Sequence, residues 1–356
     1  MRLSLFLHME RLGSQPDDAT LYRQMLELCT LADRSGFHAI WIGEHHGMNF
    51  TMSPNPFLHI VDLARRTRNV RLGTATIVAP FWHPLKLAGE AAMTDILSDG
   101  RLDLGLARGA YEFEYERLSP GLTAALAGER LREMVTAVRG LWRGDYAHDG
   151  AHWQFPVTTS APKPMNAAGP PLWIAARDPA SHDFAVANNC HVQVTPLWQD
   201  DEEVARLYQR FDSACEAHAA GPPGQPRPQI MLLRHTIVSE SEAELRAGAS
   251  DLSRFYNYFG SWFKNERPAE QGSLRPMTAA ELAQNAAHAP ETMRRNNVVG
   301  TPAEVISRLR YYEQLGFDEY ALWLDNTSDF DAKERSLRCF IQHVMPAFAD
   351  SRVECD

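Results

Sequence analysis

Eight apolar stretches of strand length punctuate this chain, and a segment of helical period follows most of them. They are RLSLFLH (2–8), HAIWIG (38–43), VRLGTATIVA (70–79), RLDLGLAR (101–108), PLWIAA (171–176), HVQVT (191–195), QIMLLRHTIV (229–238) and YALWL (320–324). Parallel strands need a long crossover, usually a helix, so the alternation predicts a parallel sheet. Eight such units make one closed (β/α)8 barrel, the TIM barrel. An open doubly wound sheet is the alternative, and the lack of GxGxxG after the first strand counts against it.

Between the strands, Leu21, Met25, Leu28 and Leu31 keep helical spacing up to Gly36. Further helices are predicted over Pro56 to Thr67, Pro84 to about Leu97 and Glu129 to Trp142, with others starting at Pro179 and Asp200. The segment 300–316 has Thr301 as N-cap and Pro302 in the first turn, and a last helix runs to about Phe348. Two stretches break the rhythm. Residues 143–170 read as an inserted hairpin or loop, and 250–297 as an irregular segment; PGQPRP (223–228) reads as a linker. The 356 residues are expected to form a single barrel domain, 1–356, with these insertions.

The charge balance of −10, without a basic run, argues against a nucleic-acid partner. No stretch approaches the roughly 20 apolar residues that span a bilayer, so no membrane association is expected. Only five apolar residues precede His8, too few for a secretion signal. The five cysteines are scattered and lack CxxC spacing, which argues against disulfides or structural zinc and fits a cytoplasmic protein.

In a β/α barrel the chemistry sits at the C-terminal strand ends. There the sequence places His8, Glu44-His45-His46, Thr74 to Thr76, Arg108, Tyr111, Arg177, Asp178, Ser181, Thr195, Arg234, His235, Asp325 and Asn326. In WIGEHH (41–46) the two adjacent histidines would point to opposite sides of a regular strand, and no HxxxH is present, so a metal site is not expected. Glu44 could orient or charge an imidazole. Arg108 ends an apolar strand, where a buried guanidinium needs a carboxylate or phosphate partner. In RDPAS (177–181), Asp178 has the character of an N-cap and Pro179 of a first helical residue. That helix start is either an ordinary cap or a cradle of free N–H groups for phosphate.

These segments together resemble the bacterial luciferase-like flavin monooxygenases, most of all the luciferase α-subunit type. The resemblance rests on WIGEHH, NPF (55–57), LGTATIVAPFWHP (72–84), SDGRLDLGLARGAYEFEY (98–115), PLWIAARDPAS (171–181), VVGTPAEV (298–305) and VMPAF (344–348). It implies a barrel that uses reduced FMN and O₂, through a flavin C4a-peroxide, to oxygenate a small organic substrate; the aromatics Phe255, Tyr256, Tyr258, Phe259, Trp262 and Phe263 point either to an apolar substrate or to packing of the lid. It implies a separate NAD(P)H:flavin reductase and a dimer, homo- or heteromeric. His45 matches the catalytic histidine, and Ala75–Thr76 a non-proline cis peptide under the isoalloxazine. Arg108 and Ser181 match phosphate contacts, Thr195 a flavin-side hydroxyl, Tyr111 a residue beside the flavin, and 250–297 a mobile lid. The chain departs from the luciferase pattern at Ala107, where that subunit has cysteine, and at Arg177 and Asp178, which replace an acid and a serine near the phosphate. An Asp178 carboxylate there would repel phosphate unless its backbone N–H makes the contact and Arg177 compensates. Two alternatives stay open on sequence: a deazaflavin-dependent oxidoreductase of the same superfamily, and a non-catalytic flavin-binding barrel or subunit.

Overall fold

The computed structural model describes residues 1–13, 16–219, 226–265, 267–275, 277–326 and 328–349; Cys355 and residues 223–225 of the expected linker lie outside them. Eight parallel strands close into a barrel: β1 (Arg2–Leu7), β2 (Ala39–Ile42), β3 (Arg71–Thr74), β4 (Leu102–Ala107), β5 (Leu172–Ala175), β6 (His191–Val194), β7 (Ile230–Val238) and β8 (Glu319–Trp323). Closure is made by β8, which pairs with β7 (Met231 opposite Glu319) and with β1 (Arg2 opposite Glu319).

Outer helices cover the barrel: α1 (Asp18–Arg34), α2 (Pro56–Arg66), α3 (Pro84–Leu97), α4 (Ala124–Arg143), α5 (Pro179–Ala187), α6 (Asp201–Ala217), α7 (Pro302–Leu315) and α8 (Phe330–Cys339). Their starts are set by local chemistry: Asp17, Asn55, Asp178 and Thr301 cap from the side chain, with proline in the first turn of α2, α3, α5 and α7. Successive strand residues face opposite ways. Leu3, Leu5 and Leu7 therefore pack outward against the helices, while Phe6, Trp41, Trp173, Met231 and Trp323 fill the barrel.

Three expectations change. The third strand, predicted over 70–79, divides into Arg71–Thr74 and Ile77–Val78, with a cis Ala75–Thr76 peptide between them. The fourth helix starts at Ala124, capped by Thr123, ahead of the predicted Glu129. The segment 250–297 is not irregular: a helix runs from Glu242 to Lys264, and shorter helices follow at Ala279–Ala283 and Pro290–Asn296. Leu245, Leu252, Tyr256, Phe259 and Trp262 are buried along one face of the long helix, and they pack with the residues that fill the barrel. The Glu242–Lys264 helix thus lies over the barrel mouth. The insertion at 143–170 contains the expected hairpin, Tyr146–Asp149 with Gln154–Thr158.

Candidate active site

Strand alternation divides the barrel mouth into two unlike halves. Along β3 to β6, the last inward positions are Ala75, Ala107, Ala175 and Thr195, all small and none fully buried. Beneath them, Gly105 leaves no room for a side chain, since an added Cβ would sit 2.0 Å from the Thr74 carbonyl and 2.9 Å from the Gln193 amide. Along β7, β8, β1 and β2 the corresponding positions are rings: His235, Trp323, His8 and His45. A shallow trough therefore faces a wall of rings.

At the outer end of the trough stand the predicted phosphate residues. The Arg108 guanidinium is exposed, not buried as its place on an apolar strand suggested. Its hydrogen bond to the Ala124 carbonyl is long, 3.5 Å, and among the described residues no carboxylate forms an ion pair with it. Arg177 donates to Gln199 Oε1 at 2.8 Å, and its backbone N–H to Ser181 Oγ at 3.3 Å. Asp178 caps α5 by accepting the Ser181 N–H at 2.9 Å. That bond narrows the expected cradle, because Pro179 has no N–H and the Ser181 N–H is already used. Burial opposes the Asp178 charge, but Ser181 and the nearby Arg108 hold its carboxyl below the usual range. Thr195 Oγ1 accepts the Leu197 N–H at 3.1 Å.

His45 lies on the opposite wall, at the lip of the mouth. Its ring meets Tyr111 edge-on at 4.8 Å and His8 at 4.7 Å. Its Nδ1 is 3.1 Å from Glu114 Oε2, and Glu114 Oε1 accepts the His46 N–H at 2.7 Å. Burial pulls the His45 pKa down; Glu114 opposes this and the neighbouring His8 and His46 reinforce it. Glu44 serves the other histidine. It is 2.6 Å from His46 Nε2, and it accepts the Val78 N–H at 2.8 Å and the Trp82 indole N–H at 3.0 Å. Burial of His46 opposes its charge, but the Glu44 contact outweighs it and raises the pKa. Burial also pushes the Tyr111 hydroxyl well above its ordinary value, with Glu10 and Glu114 adding to it.

Of the other strand-end residues, Arg234 points away from the mouth. It is held outside the barrel by Asp201, the Tyr312 hydroxyl at 2.6 Å and the Gln199 carbonyl at 2.7 Å. Asp325 ties the β1 end by accepting the His8 and Met9 N–H groups at 2.6 and 2.8 Å. Neither Glu114 nor Glu10 lies on a strand, so strand ends do not point to them; Glu114 reaches His45 across 69 residues, whereas Glu10 sits two residues beyond His8. Among the described residues no group of three His, Cys, Asp or Glu side chains could hold a metal.

A flat floor of small residues ending at an unpaired guanidinium is what a planar, phosphate-tailed cofactor requires. A family description, luciferase-like monooxygenase, matches residues 1–319. The chain belongs to that luciferase-like monooxygenase family. Over 354 residues it is 58% identical to the oxygenase component of the flavin-dependent trigonelline monooxygenase of Acinetobacter baylyi, covering 99% of this chain and 97% of that one. Among solved structures, a monooxygenase from Streptomyces bottropensis superposes with TM-score 0.81 at 26% identity, covering 98% of this chain and 100% of the other. The oxygenating constituent of the Pseudomonas putida 3,6-diketocamphane monooxygenase, in complex with FMN, shares the fold with TM-score 0.76 at 17% identity, covering 97% and 98% of the two chains. This luciferase-like protein is a flavin-dependent monooxygenase. The deazaflavin and non-catalytic alternatives are set aside.

Proposed function

We propose that this chain is the oxygenase component of a two-component system that oxygenates trigonelline, or a closely related N-methylated pyridine carboxylate. The observation that carries this reading is the near full-length identity to the trigonelline enzyme. The wall of rings supports it, because aromatic faces receive a flat cationic ring as readily as an apolar ligand.

Reduced FMN, when bound, supplies the activation of O₂. Its ring system would lie over Ala75–Thr76, Ala107 and Ala175, with Tyr111 and Thr195 at its edges. Arg108, Arg177, Ser181 and the Asp178 N–H would hold the phosphate, with guanidinium suited to it geometrically. His45 keeps one proton on Nδ1 against Glu114, which leaves Nε2 to take or return a proton at the reacting centre. The helix Glu242–Lys264 excludes water from above and acts as the lid.

A separate NAD(P)H:flavin reductase would deliver the reduced flavin, in the cytoplasm. No helix among the described residues is long and apolar enough to cross a membrane. Leu58 on α2 and Met93, Ile96 and Leu97 on α3 are exposed apolar groups, and they support a homodimer that buries this face. Residues 1–356 act as one catalytic domain in this reading.

The test supplies the purified chain with FMN, NADH and a flavin reductase, and measures O₂ uptake with and without trigonelline. Trigonelline-dependent uptake with a product carrying oxygen from ¹⁸O₂ is expected. Uptake that yields only H₂O₂ with trigonelline, but product with another substrate, would overturn the substrate assignment and leave the monooxygenase activity intact.

A further inference from the structure

Among the described residues, the wall of rings holds a buried acid, Glu10, that no fixed cation balances. Glu10, beyond the end of β1, is 2% exposed. Its Oε2 accepts the Trp323 indole N–H at 2.9 Å, and its Oε1 lies 3.2 Å from His8 Nδ1. Among the described residues no lysine or arginine forms an ion pair with it. The neighbouring acid differs: Asp325 has Lys333 Nζ at 3.0 Å. The His8 ring occupies the space where Gly43 lacks a side chain; a Cβ there would sit 2.2 Å from Nε2.

A buried acid in this position is costly to ionise without a counter-charge. Burial accordingly pushes the Glu10 pKa up, and Asp325 adds to it against the His8 and Trp323 contacts. Aromatic rings gather about Trp323, the ring that Glu10 holds. Phe6 meets Trp323 at 5.3 Å, and Phe259 lies 6.5 Å from Trp323 and 5.7 Å from Tyr111. The Tyr111 and Tyr256 hydroxyls, raised chiefly by burial, are both close enough to feel the Glu10 charge. Aromatic faces beside one uncompensated carboxylate form the environment in which quaternary nitrogen cations bind.

We propose that Glu10, with Phe6, Tyr111, Tyr256, Phe259 and Trp323 around it, recognises a fixed organic cation, the quaternary ring nitrogen of an N-methylpyridinium substrate. The substrate class rests on the function proposed above; the site rests on its own geometry. A neutral ring of the same shape gains the aromatic contacts but leaves Glu10 without a counter-charge. The site therefore selects for charge as well as for flatness.

The test titrates wild type, Glu10→Gln and Glu10→Asp by calorimetry with three probes. These are N-methylnicotinate, the bare N-methylpyridinium ion, and 3-methylbenzoate, which has the same outline without ring charge. Wild type is expected to bind N-methylnicotinate at least about tenfold more tightly than 3-methylbenzoate. Glu10→Gln should lose about tenfold in affinity for both pyridinium probes, while 3-methylbenzoate and FMN bind as before. Glu10→Asp, which keeps the charge, should recover part of the loss. Equal wild-type affinity for the charged and uncharged rings, or unchanged pyridinium binding by Glu10→Gln, would overturn the assignment. Glu10-dependent pyridinium binding without trigonelline turnover would overturn the substrate named above and leave this site standing. Trigonelline turnover by Glu10→Gln at the wild-type KM would do the reverse.

Discussion

The Glu114 carboxylate holds His45 by its side chain, 3.1 Å from Nδ1, and steadies the same loop by accepting the next backbone N–H at 2.7 Å. A carboxylate at Nδ1 fixes the tautomer and leaves the Nε2 lone pair free. Burial lowers the His45 pKa despite Glu114, so the imidazole is neutral near pH 7. His45→Ala should leave FMN affinity within about twofold and lower product formed per NADH by about a hundredfold, the scale of a lost general acid–base group. Glu114→Gln should cost about tenfold, as for a group that acts through another. It should also move the acidic limb of the pH–rate profile downward, because Glu114 raises the His45 pKa. Unchanged coupling in His45→Ala, measured as product against H₂O₂, would remove the histidine from the chemistry.

Arg108 allows a cleaner substitution, because its guanidinium is exposed and gives the fold only a 3.5 Å bond to Ala124. Arg108→Ala should keep its melting temperature and weaken FMN binding by about tenfold, the loss of a charge-assisted contact. Fluorescence titration with FMN measures this. An unaltered curve would show that Arg108 does not touch the phosphate.

The sequence yielded the barrel because period-two and period-3.6 patterns are local. Strand ends follow from strands, which is why His45, Ala75, Arg108 and Thr195 could be placed at one mouth. What connects them is not local. Glu114 meets His45 across 69 residues, and Glu10 meets Trp323 across 313. No spacing rule reports such pairs. Glu44 reads as a partner for an imidazole, but which histidine it serves depends on the chain turning after Ile42. The lid reads as irregular in the sequence for another reason. Its aromatics crowd together in FYNYFGSWF (255–263), and this density hid the helical stripe of Leu252, Tyr256, Phe259 and Trp262.

A buried hydrogen bond between Tyr256 and His235, 2.7 Å long, ties the lid to the barrel. His235 Nε2 faces the Asp325 carbonyl at 2.9 Å, and a carbonyl only accepts. The proton therefore sits on Nε2, and Nδ1 accepts the Tyr256 hydroxyl. Tyr256→Phe leaves Nδ1 buried without a partner, at a cost of about 1–3 kcal/mol. The variant should melt at lower temperature and release more H₂O₂ per NADH, because the mouth is less well sealed. A variant with lower stability and unchanged H₂O₂ yield would separate the latch from water exclusion.

That tautomer also sets a dependence of stability on pH. Burial, reinforced by Lys333 and Arg234 and opposed by the Asp325 carbonyl, depresses the His235 pKa from 6.5 to about 3. The unfolded chain takes up this proton below about pH 6.5, whereas the native form refuses it until about pH 3. The contribution of His235 is therefore complete above pH 6.5 and is lost as the pH falls, at up to about 1.4 kcal/mol per pH unit. His59, His182 and His191, each depressed to about 4 chiefly by burial, act in the same direction, so the wild type carries a steeper total slope. His235→Gln should be less stable than wild type at pH 7.5, yet its stability should fall more gently with acid, by about one proton between roughly pH 6 and pH 4. Urea unfolding across that range measures both slopes. Parallel curves would mean that the native imidazole titrates as it does in the unfolded chain, and the Tyr256–His235–Asp325 assignment would fall with it.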